Sequence, residues 1–248
     1  MKIAVAGGTG VAGRLVVEEL RARGHAPVPL SRRAGVDLVT GDGLEAALAG
    51  AEAVVDASNV TAMRKSVAVG FFDTAGRNLL RAAEHAGVAH LVTLSIVNVD
   101  RVRYPYYAGK VRQEEIVRGG AVPWTILRAT QFHEFAGQML ANLPGPVALV
   151  PTAPVQPVAV REVAAALADL VLAGPQGMAP DLAGPREESL VDMARRVMAA
   201  GLARRRPVVP VRFPGGMSAG GLRPSGPGTR GTQTFTEWLT EQTAATAA

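Results

Sequence analysis

Three side chains near the middle of the chain could together reduce a carbonyl group. Tyr106 and Lys110 are four residues apart at the start of a predicted helix, so both project from one helix face. Ser95 closes the apolar stretch just upstream. A tyrosine can protonate a new alkoxide when a neighbouring ammonium lowers its pKa, and a serine hydroxyl can hold the carbonyl oxygen. The pattern therefore predicts Ser95, Tyr106 and Lys110 as catalytic residues.

The use of lysine at position 110 supports this prediction. Only three of the 26 basic residues are lysines, so arginine is the usual cation of this chain. An ammonium can bond a ribose hydroxyl that the planar guanidinium of arginine would fit poorly. Two alternatives stay open. Tyr104 or Tyr107 could be the proton donor, or the tyrosines could form a core cluster beside a surface lysine.

A glycine-rich turn at the start of the chain indicates a dinucleotide-binding site. Residues 2–6 predict a buried strand, the next glycines have the spacing G-x-x-G-x-x-G, and helical periodicity follows. Such glycines allow a tight turn, a close approach of the backbone to a pyrophosphate, and close helix packing. The helix N-terminus then attracts phosphate. The residues expected to bind the cofactor here are Gly7, Thr9, Gly10, Val11, Gly13 and Arg14.

The end of the predicted second strand bears on the choice of cofactor. An NAD site usually has a carboxylate there, which bonds the ribose 2′-hydroxyl. Here Ser31, Arg32 and Arg33 follow the strand, and two guanidinium groups suit a 2′-phosphate. This favours NADPH (NADP) over NAD, with solvated loop arginines as the alternative. Further cofactor contacts are expected from Asp42, Ala57, Ser58, Asn59 and Lys110.

Strand and helix patterns alternate, which predicts an α/β fold: a Rossmann-like, doubly wound parallel sheet with helices on both faces. We expect a single domain over residues 1–248, with a cofactor-binding part over about 1–130 and a small C-terminal substrate-covering lobe over about 131–248. The predicted strands of the first part lie at 2–6, 25–30, 36–40, 53–56, 89–95 and 123–128.

The C-terminal part has a looser pattern. Residues 213–232 are rich in glycine and offer little to bury, which predicts a mobile loop anchored by Phe235 and Trp238. Fixed ends and a free middle are typical of an active-site lid, and a tolerated surface loop is the alternative. Upstream, Glu114 and Glu115 are expected on a solvated helix face.

The substrate pocket is expected where the sixth predicted strand ends, because ligands of open α/β sheets bind at the carboxyl edge. Gln131, Phe132 and His133 follow that strand. Val97 and Met139 are candidates for an apolar wall. No metal site is expected, since no second histidine lies at ligand spacing from His133.

Composition limits the class of partner. The net charge is +5, but only 4% of residues are aromatic, and they do not alternate with the arginines, so nucleic-acid binding is not expected. No apolar run approaches the length of a transmembrane helix, and the chain has no cysteine. We expect a cytoplasmic protein, a monomer or homodimer, whose partner is a small-molecule substrate rather than a membrane or a nucleic acid.

Four motifs along the chain are shared with one protein family. They are GGTGVAGR at 7–14, YYAGKVRQEE at 106–115, PWTILRATQF at 123–132 and FTEWL at 235–239. With these motifs the chain resembles the atypical short-chain dehydrogenase/reductases, specifically the NmrA-like, NAD(P)H-binding group. The resemblance implies a Rossmann-like fold and NADPH use. Some members of this group reduce quinones, ketones or enoyl-type substrates, and others sense redox state without turnover.

The leading hypothesis is an NADPH-dependent oxidoreductase that reduces a carbonyl or quinone-like small molecule by hydride transfer. The tyrosine at position 106 favours an enzyme, because the sensor-type members of the group often lack it. Two alternatives stay open: a cofactor-binding redox-sensing regulator, and an isomerase that uses bound cofactor transiently.

Overall fold

The computed structural model describes residues 1–62, 64–213, 215–224 and 226–247. The chain divides into two compact units. The first contains residues 1–100, 104–128 and 160–180, and the second contains residues 101–103, 129–159 and 181–248. Residues 160–180 therefore belong with the first unit, although the sequence analysis grouped them with the C-terminal part. That this part covers a substrate stays a prediction.

The elements are numbered in chain order. The strands are β1 (Lys2–Ala6), β2 (Ala26–Leu30), β3 (Ala53–Asp56), β4 (His90–Ile96), β5 (Trp124–Ala129), β6 (Ala148–Pro151), β7 (Pro154–Val155), β8 (Gly177–Met178), β9 (Leu182–Ala183), β10 (Glu188–Ser189), β11 (Val208–Val211) and β12 (Thr229–Arg230). The helices are α1 (Val11–Ala22), α2 (Leu44–Leu48), α3 (Lys65–His85), α4 (Pro105–Gly119), α5 (Phe135–Asn142), α6 (Val160–Ala173), α7 (Leu190–Ala199) and α8 (Phe235–Ala247).

The first unit is built on a parallel sheet with the order β2-β1-β3-β4-β5, and β8 pairs in parallel with β5. Every residue of β3 is buried, although successive side chains of a strand point to opposite faces. Both faces of the sheet are therefore covered. Helix α1 packs against α6 and helix α3 against α4. The Rossmann-like fold predicted from the sequence is confirmed.

The prolines of β2 are explained by its place in the sheet. Pro27 and Pro29 cannot donate hydrogen bonds to a neighbouring strand. Strand β2 pairs with β1 on one side and is the last strand of the sheet, so the missing donors cost little. Two prolines within one short strand therefore fit an edge position.

The strand predicted at 36–40 is wrong. Asp37 Oδ1 instead accepts hydrogen bonds from the N–H groups of Val39 at 2.7 Å and Thr40 at 3.3 Å. The Asp37 N–H donates to the Asp42 carbonyl oxygen at 3.0 Å. An aspartate that binds the backbone two residues ahead forms a turn rather than a strand.

The second unit contains small sheets. Strand β6 pairs in parallel with β11, and β7 pairs antiparallel with β10, each as a two-stranded sheet. Strand β9 is not part of a small sheet: it pairs in parallel with β12 and, at Leu182, with Ala129 of β5. The proline-rich stretch at 144–157 thus contains strands that the sequence did not predict. Within 213–232, Met217 and Leu222 are buried, which corrects the expectation of little to bury. Pro214 and Ser225 lie outside the described residues, and the lid stays a prediction.

Within the described ranges, no helix combines the length and the apolar character that a bilayer span requires.

Candidate functional site

The turn between β1 and α1 depends on glycine. Gly7 has a φ of +70°, the left-handed region that favours glycine. A Cβ on Gly7 would lie 2.7 Å from the carbonyl oxygen of Ala57, and a Cβ on Gly13 would overlap the carbonyl oxygen of Gly7. The backbone at Gly7 and Gly13 therefore approaches its neighbours so closely that a side chain would not fit. The turn lies against both α1 and the loop that follows β3. Gly8, which the sequence analysis did not single out, is equally constrained, since a Cβ there would lie 2.7 Å from Cβ of Pro29.

The N-terminus of α1 fits the phosphates of a dinucleotide. Gly10 caps the helix, and its carbonyl oxygen accepts the first intrahelical bond from the Arg14 N–H at 3.0 Å. The N–H groups of the first turn therefore have no acceptor within the helix. Thr9, Gly10 and Val11 are exposed at this end, where a partial positive charge favours an anion.

The two arginines expected to select the cofactor lie beside this turn. Because Ala6 pairs with Leu30, the residues after β1 and after β2 leave the sheet side by side. Ser31 caps a single 3-10 turn that contains Arg32 and Arg33. Both side chains are exposed and have no hydrogen bond or ion pair with any described residue. Arg14, by contrast, is paired with Glu18 at 2.6 Å.

Asp42 lies on the loop before α2 rather than after a strand. Its Oδ2 accepts a hydrogen bond from Thr40 Oγ1 at 2.7 Å, and it lines a shallow cavity with Asn78 and Arg81. The adenine contact expected of Asp42 stays a prediction.

The loop after β3 reaches from the glycine turn to the predicted proton donor. The Ala57 N–H donates to the Ala6 carbonyl oxygen at 3.0 Å, and the Ser58 N–H donates to Asp56 Oδ1 at 2.9 Å. The next residue, Asn59, accepts a hydrogen bond from the Tyr106 hydroxyl at 2.7 Å. The loop thus brings the predicted cofactor-binding turn and the predicted proton donor into one place.

The pKa of Tyr106 departs from its ordinary value in the direction opposite to the one expected. Burial and the neighbouring Tyr107 raise this pKa. The Tyr106 ring lies 5.9 Å from that of Phe72 and 6.2 Å from that of Tyr107, in edge-to-face arrangements. The hydroxyl is therefore protonated at neutral pH, as a proton donor must be, but the protein does not make it a stronger acid.

Lys110 lies inside the protein. Its Nζ donates to the Leu94 carbonyl oxygen at 2.6 Å and to Gln113 Oε1 at 2.5 Å, and only 3% of the residue is exposed. Gln113 in turn donates to Asp56 at 2.6 Å. Burial lowers the pKa of Lys110 to about 8, against the opposing effect of Asp56 and Glu114. The structure thus gives Lys110 buried partners, and its contact with a cofactor ribose stays a prediction.

Ser95 is engaged by a buried carboxylate. Its hydroxyl donates to Glu114 Oε1 at 2.5 Å, and both residues are almost wholly buried. Arg128 binds the same carboxylate through two nitrogens at 2.8 and 2.7 Å. Glu114 is therefore not on a solvated face, as the sequence analysis expected, whereas the side chain of Glu115 is 56% exposed. The burial of Glu114 could have been predicted from the spacing of Lys110, Gln113 and Glu114. This spacing places three polar groups on one face of α4, and that face is buried.

The residues proposed to line the substrate pocket have different environments. Val97, in the first unit, is fully buried. Within the second unit, Gln131 is buried, and Phe132 and Met139 are partly buried. His133 is wholly buried, its Nε2 lies 3.1 Å from the Gln233 carbonyl oxygen, and its ring is 5.8 Å from those of Phe235 and Trp238. His133 therefore anchors the C-terminal helix, and its contact with substrate stays a prediction.

The comparison with known families agrees with this geometry. Residues 7–172 match the model of a family described as NAD(P)H-binding. The chain belongs to this NAD(P)H-binding family. The matched range begins at the glycine turn and ends in the last turn of α6, so it contains most of the first unit. A comparison with curated proteins found no significant match.

The solved structures similar to this NAD(P)H-binding protein include one described as a member of the short-chain dehydrogenase/reductase superfamily. A superfamily member from Agrobacterium tumefaciens with bound NAD is 19% identical, with a TM-score of 0.70 over 100% of this chain and 97% of that chain. An NADPH-dependent quinone oxidoreductase from Escherichia coli, complexed with NADPH, is 21% identical, with a TM-score of 0.71 over 97% and 99%. A UDP-glucose 4-epimerase from Thermus thermophilus, complexed with NAD, is 21% identical, with a TM-score of 0.67 over 98% and 93%. At these identities the likeness shows the fold.

Proposed function

We propose that this NAD(P)H-binding protein is an NADPH-dependent reductase of a carbonyl or quinone-like small molecule. One observation carries the proposal: the loop at 57–59 touches Gly7 at one end and binds the Tyr106 hydroxyl at the other. A phosphate-binding turn and a protonated phenol are therefore joined by three residues. This is the arrangement that reduction needs, since a hydride acceptor and a proton donor must both be close to the cofactor.

The residues that would hold the cofactor are those of the glycine turn and the N-terminus of α1, with Arg32 and Arg33 on the 2′-phosphate. Two guanidinium groups that have no partner among the described residues suit that phosphate, which they can bind with charge-assisted hydrogen bonds. The reduced nicotinamide supplies hydride when bound. Tyr106 then gives its proton to the oxygen of the reduced carbonyl and regains a proton from solvent.

A second candidate function is a cofactor-binding regulator without turnover. The observation that favours it is that Lys110 and Ser95 are both engaged within the protein. A redox sensor needs the cofactor site but not a tyrosine that is tuned for proton transfer.

The test is turnover of a broad carbonyl and quinone panel with NADPH, followed by the variant Tyr106→Phe. We expect the variant to bind NADPH normally and to lose at least about a hundredfold in kcat, because general acid catalysis is typically of that size. Tyr104→Phe is the matched control and should keep most of the activity. If the wild type reduces nothing in the panel, the regulator becomes the better proposal. If Tyr106→Phe retains full turnover, another group donates the proton.

A further inference from the structure

The amide of Asn59 has a fixed orientation. Its Oδ1 accepts two hydrogen bonds, from the Val60 N–H at 2.8 Å and from the Tyr106 hydroxyl at 2.7 Å. A backbone N–H can only donate, so the atom facing Val60 must be the oxygen. Since the same oxygen has no proton, the Tyr106 hydroxyl must be the donor to it. Asn59 therefore determines where the phenolic proton points.

The other end of the amide is available. Asn59 is exposed, and its Nδ2 has no hydrogen-bond partner within the part of the chain that the structure describes. This nitrogen carries two N–H donors, and it is bonded to the same carbon as the oxygen that holds the Tyr106 hydroxyl. Two kinds of donor, one amide and one phenol, thus lie side by side at the loop after β3.

Ser95, the residue first expected to hold a substrate carbonyl, is poorly placed to do so. Its hydroxyl donates to the carboxylate of Glu114, and only 2% of Ser95 is exposed. A serine hydroxyl has a single proton. To bind a carbonyl oxygen, Ser95 would have to withdraw that proton from a buried charge, which is costly.

We propose that Asn59 is a catalytic residue of this site: its Nδ2 donates a hydrogen bond to the substrate carbonyl oxygen, while its Oδ1 orients the Tyr106 hydroxyl. The inference rests on the proposed reductase function. The carbonyl carbon accepts hydride from the reduced nicotinamide, which is oxidised, and the π electron pair moves to the carbonyl oxygen. The Tyr106 hydroxyl turns from Asn59 Oδ1, a neutral and exposed acceptor, to that oxygen and gives it the proton, and solvent reprotonates the phenolate. The Asn59 amide stabilises the negative charge while it develops.

The orienting role is tested without turnover. The three tyrosines are labelled with carbon-13 at Cζ, and their NMR resonances are assigned with the single Tyr→Phe variants. We expect Asn59→Ala to shift the Tyr106 resonance at neutral pH, because the phenol loses its acceptor. Asn59→Asp keeps an acceptor oxygen at that place, so the hydrogen bond should persist, and its stronger, charged acceptor should move the resonance in the direction opposite to Asn59→Ala. An unchanged resonance in Asn59→Ala would overturn the orienting role.

The donor role is tested by kinetics with Asn59→Asp, which keeps the acceptor and removes the amide N–H groups. We expect kcat to fall by about a hundredfold, as for the loss of a donor to a developing oxyanion, with NADPH affinity within about twofold of the wild type. Ser95→Ala should lose less than Asn59→Asp, and Asn142→Asp, an exposed asparagine of α5, is the isosteric control.

Three results would overturn the donor role: an unchanged kcat in Asn59→Asp, a larger loss in a folded Ser95→Ala, or NADPH affinity that falls in step with turnover. The last result would make Asn59 a cofactor contact. A wild type without any turnover would defeat the proposed function and the donor role with it. The NMR comparison would then still decide whether Asn59 orients Tyr106.

Discussion

Ser95 donates a hydrogen bond to Glu114 over 2.5 Å, within the layer between β4 and α4. The Glu114 side chain is only 4% exposed, so its charge is stabilised by protein partners rather than by water. Those partners are Ser95, Arg128 at 2.7 Å and Arg118 at 2.8 Å. The carboxylate thereby ties helix α4, which carries Tyr106 and Lys110, to strands β4 and β5.

Replacement of Glu114 by alanine should destabilise the protein severely. Arg128, whose side chain is 16% exposed, would keep its charge and lose its main partner, and a broken buried ion pair typically costs about 3–5 kcal/mol. Denaturant unfolding measures the loss. Glu115→Ala on the same helix is the control, because Glu115 is exposed and its ion pair with Arg112 at 2.8 Å should contribute about 1 kcal/mol at most. Equal losses for the two variants would contradict this account of Glu114.

Gly13 and Gly70 should respond oppositely to alanine. A Cβ on Gly13 would overlap the Gly7 carbonyl oxygen, so Gly13→Ala should cost about 1–3 kcal/mol and weaken cofactor binding by distorting the turn. Gly70 lies inside α3 with nothing near its Cβ position, and alanine there should stabilise the helix by about 0.5–1 kcal/mol. Thermal unfolding and a cofactor titration of both variants check this. A Gly13→Ala protein as stable as the wild type would show that the close contact is absent.

Lys110 should make stability depend on pH in the alkaline range. Burial lowers its pKa to about 8, whereas a lysine in an unfolded chain ionises near pH ~10.4. Between these values the unfolded chain binds a proton that the folded chain does not, so stability rises with pH. Below the lower pKa the buried charge costs stability in full. Above about pH 10 the raised pKa of Tyr106 acts in the opposite direction, because only the unfolded tyrosine loses its proton.

The measurement is urea unfolding at several values between about pH 7 and pH 10. Over this range the wild type should gain on the order of 2 kcal/mol relative to Lys110→Met. Lys65→Met is the control, since Lys65 is exposed at the start of α3 and should leave the wild-type dependence intact. Parallel profiles for wild type and Lys110→Met would mean that Lys110 is not desolvated as described.

Joint replacement of Arg32 and Arg33 by alanine should weaken NADPH selectively. Each charge-assisted hydrogen bond to a phosphate contributes about 1.5–3 kcal/mol, so the affinity should fall at least about tenfold. NADH, which lacks the 2′-phosphate, should bind the variant about as well as it binds the wild type. Titrations followed by protein fluorescence give both affinities. Arg21→Ala, an exposed arginine at the far end of α1, is the control. A wild type that prefers NADH would refute the assignment.

The glycine turn and strands β1 to β5 were predictable because each depends on local features. Gly7 and Gly13 are required by their own backbone contacts, and Pro27 and Pro29 restrict β2 by their own chemistry. The strand predicted at 36–40 was wrong because the apolar pattern of these residues is compatible with a strand. The Asp37 side chain instead accepts a backbone hydrogen bond and so makes a turn.

The sequence by itself determined which polar groups this protein has and on which elements they lie. Only the tertiary structure decided which partner each group takes. Ser95 and Lys110 have the residue types of a catalytic group, and Glu114 was expected on a solvated face, yet all three are buried. Ser95 binds Glu114, and Lys110 binds Gln113 and the Leu94 carbonyl oxygen. The sequence predicted Asn59 only as a cofactor contact. Its hydrogen bond with Tyr106 joins residues that are 47 positions apart in the sequence. Hydrogen bonds between distant residues depend on packing, since a buried polar group must pair with whichever partner the folded chain brings within reach.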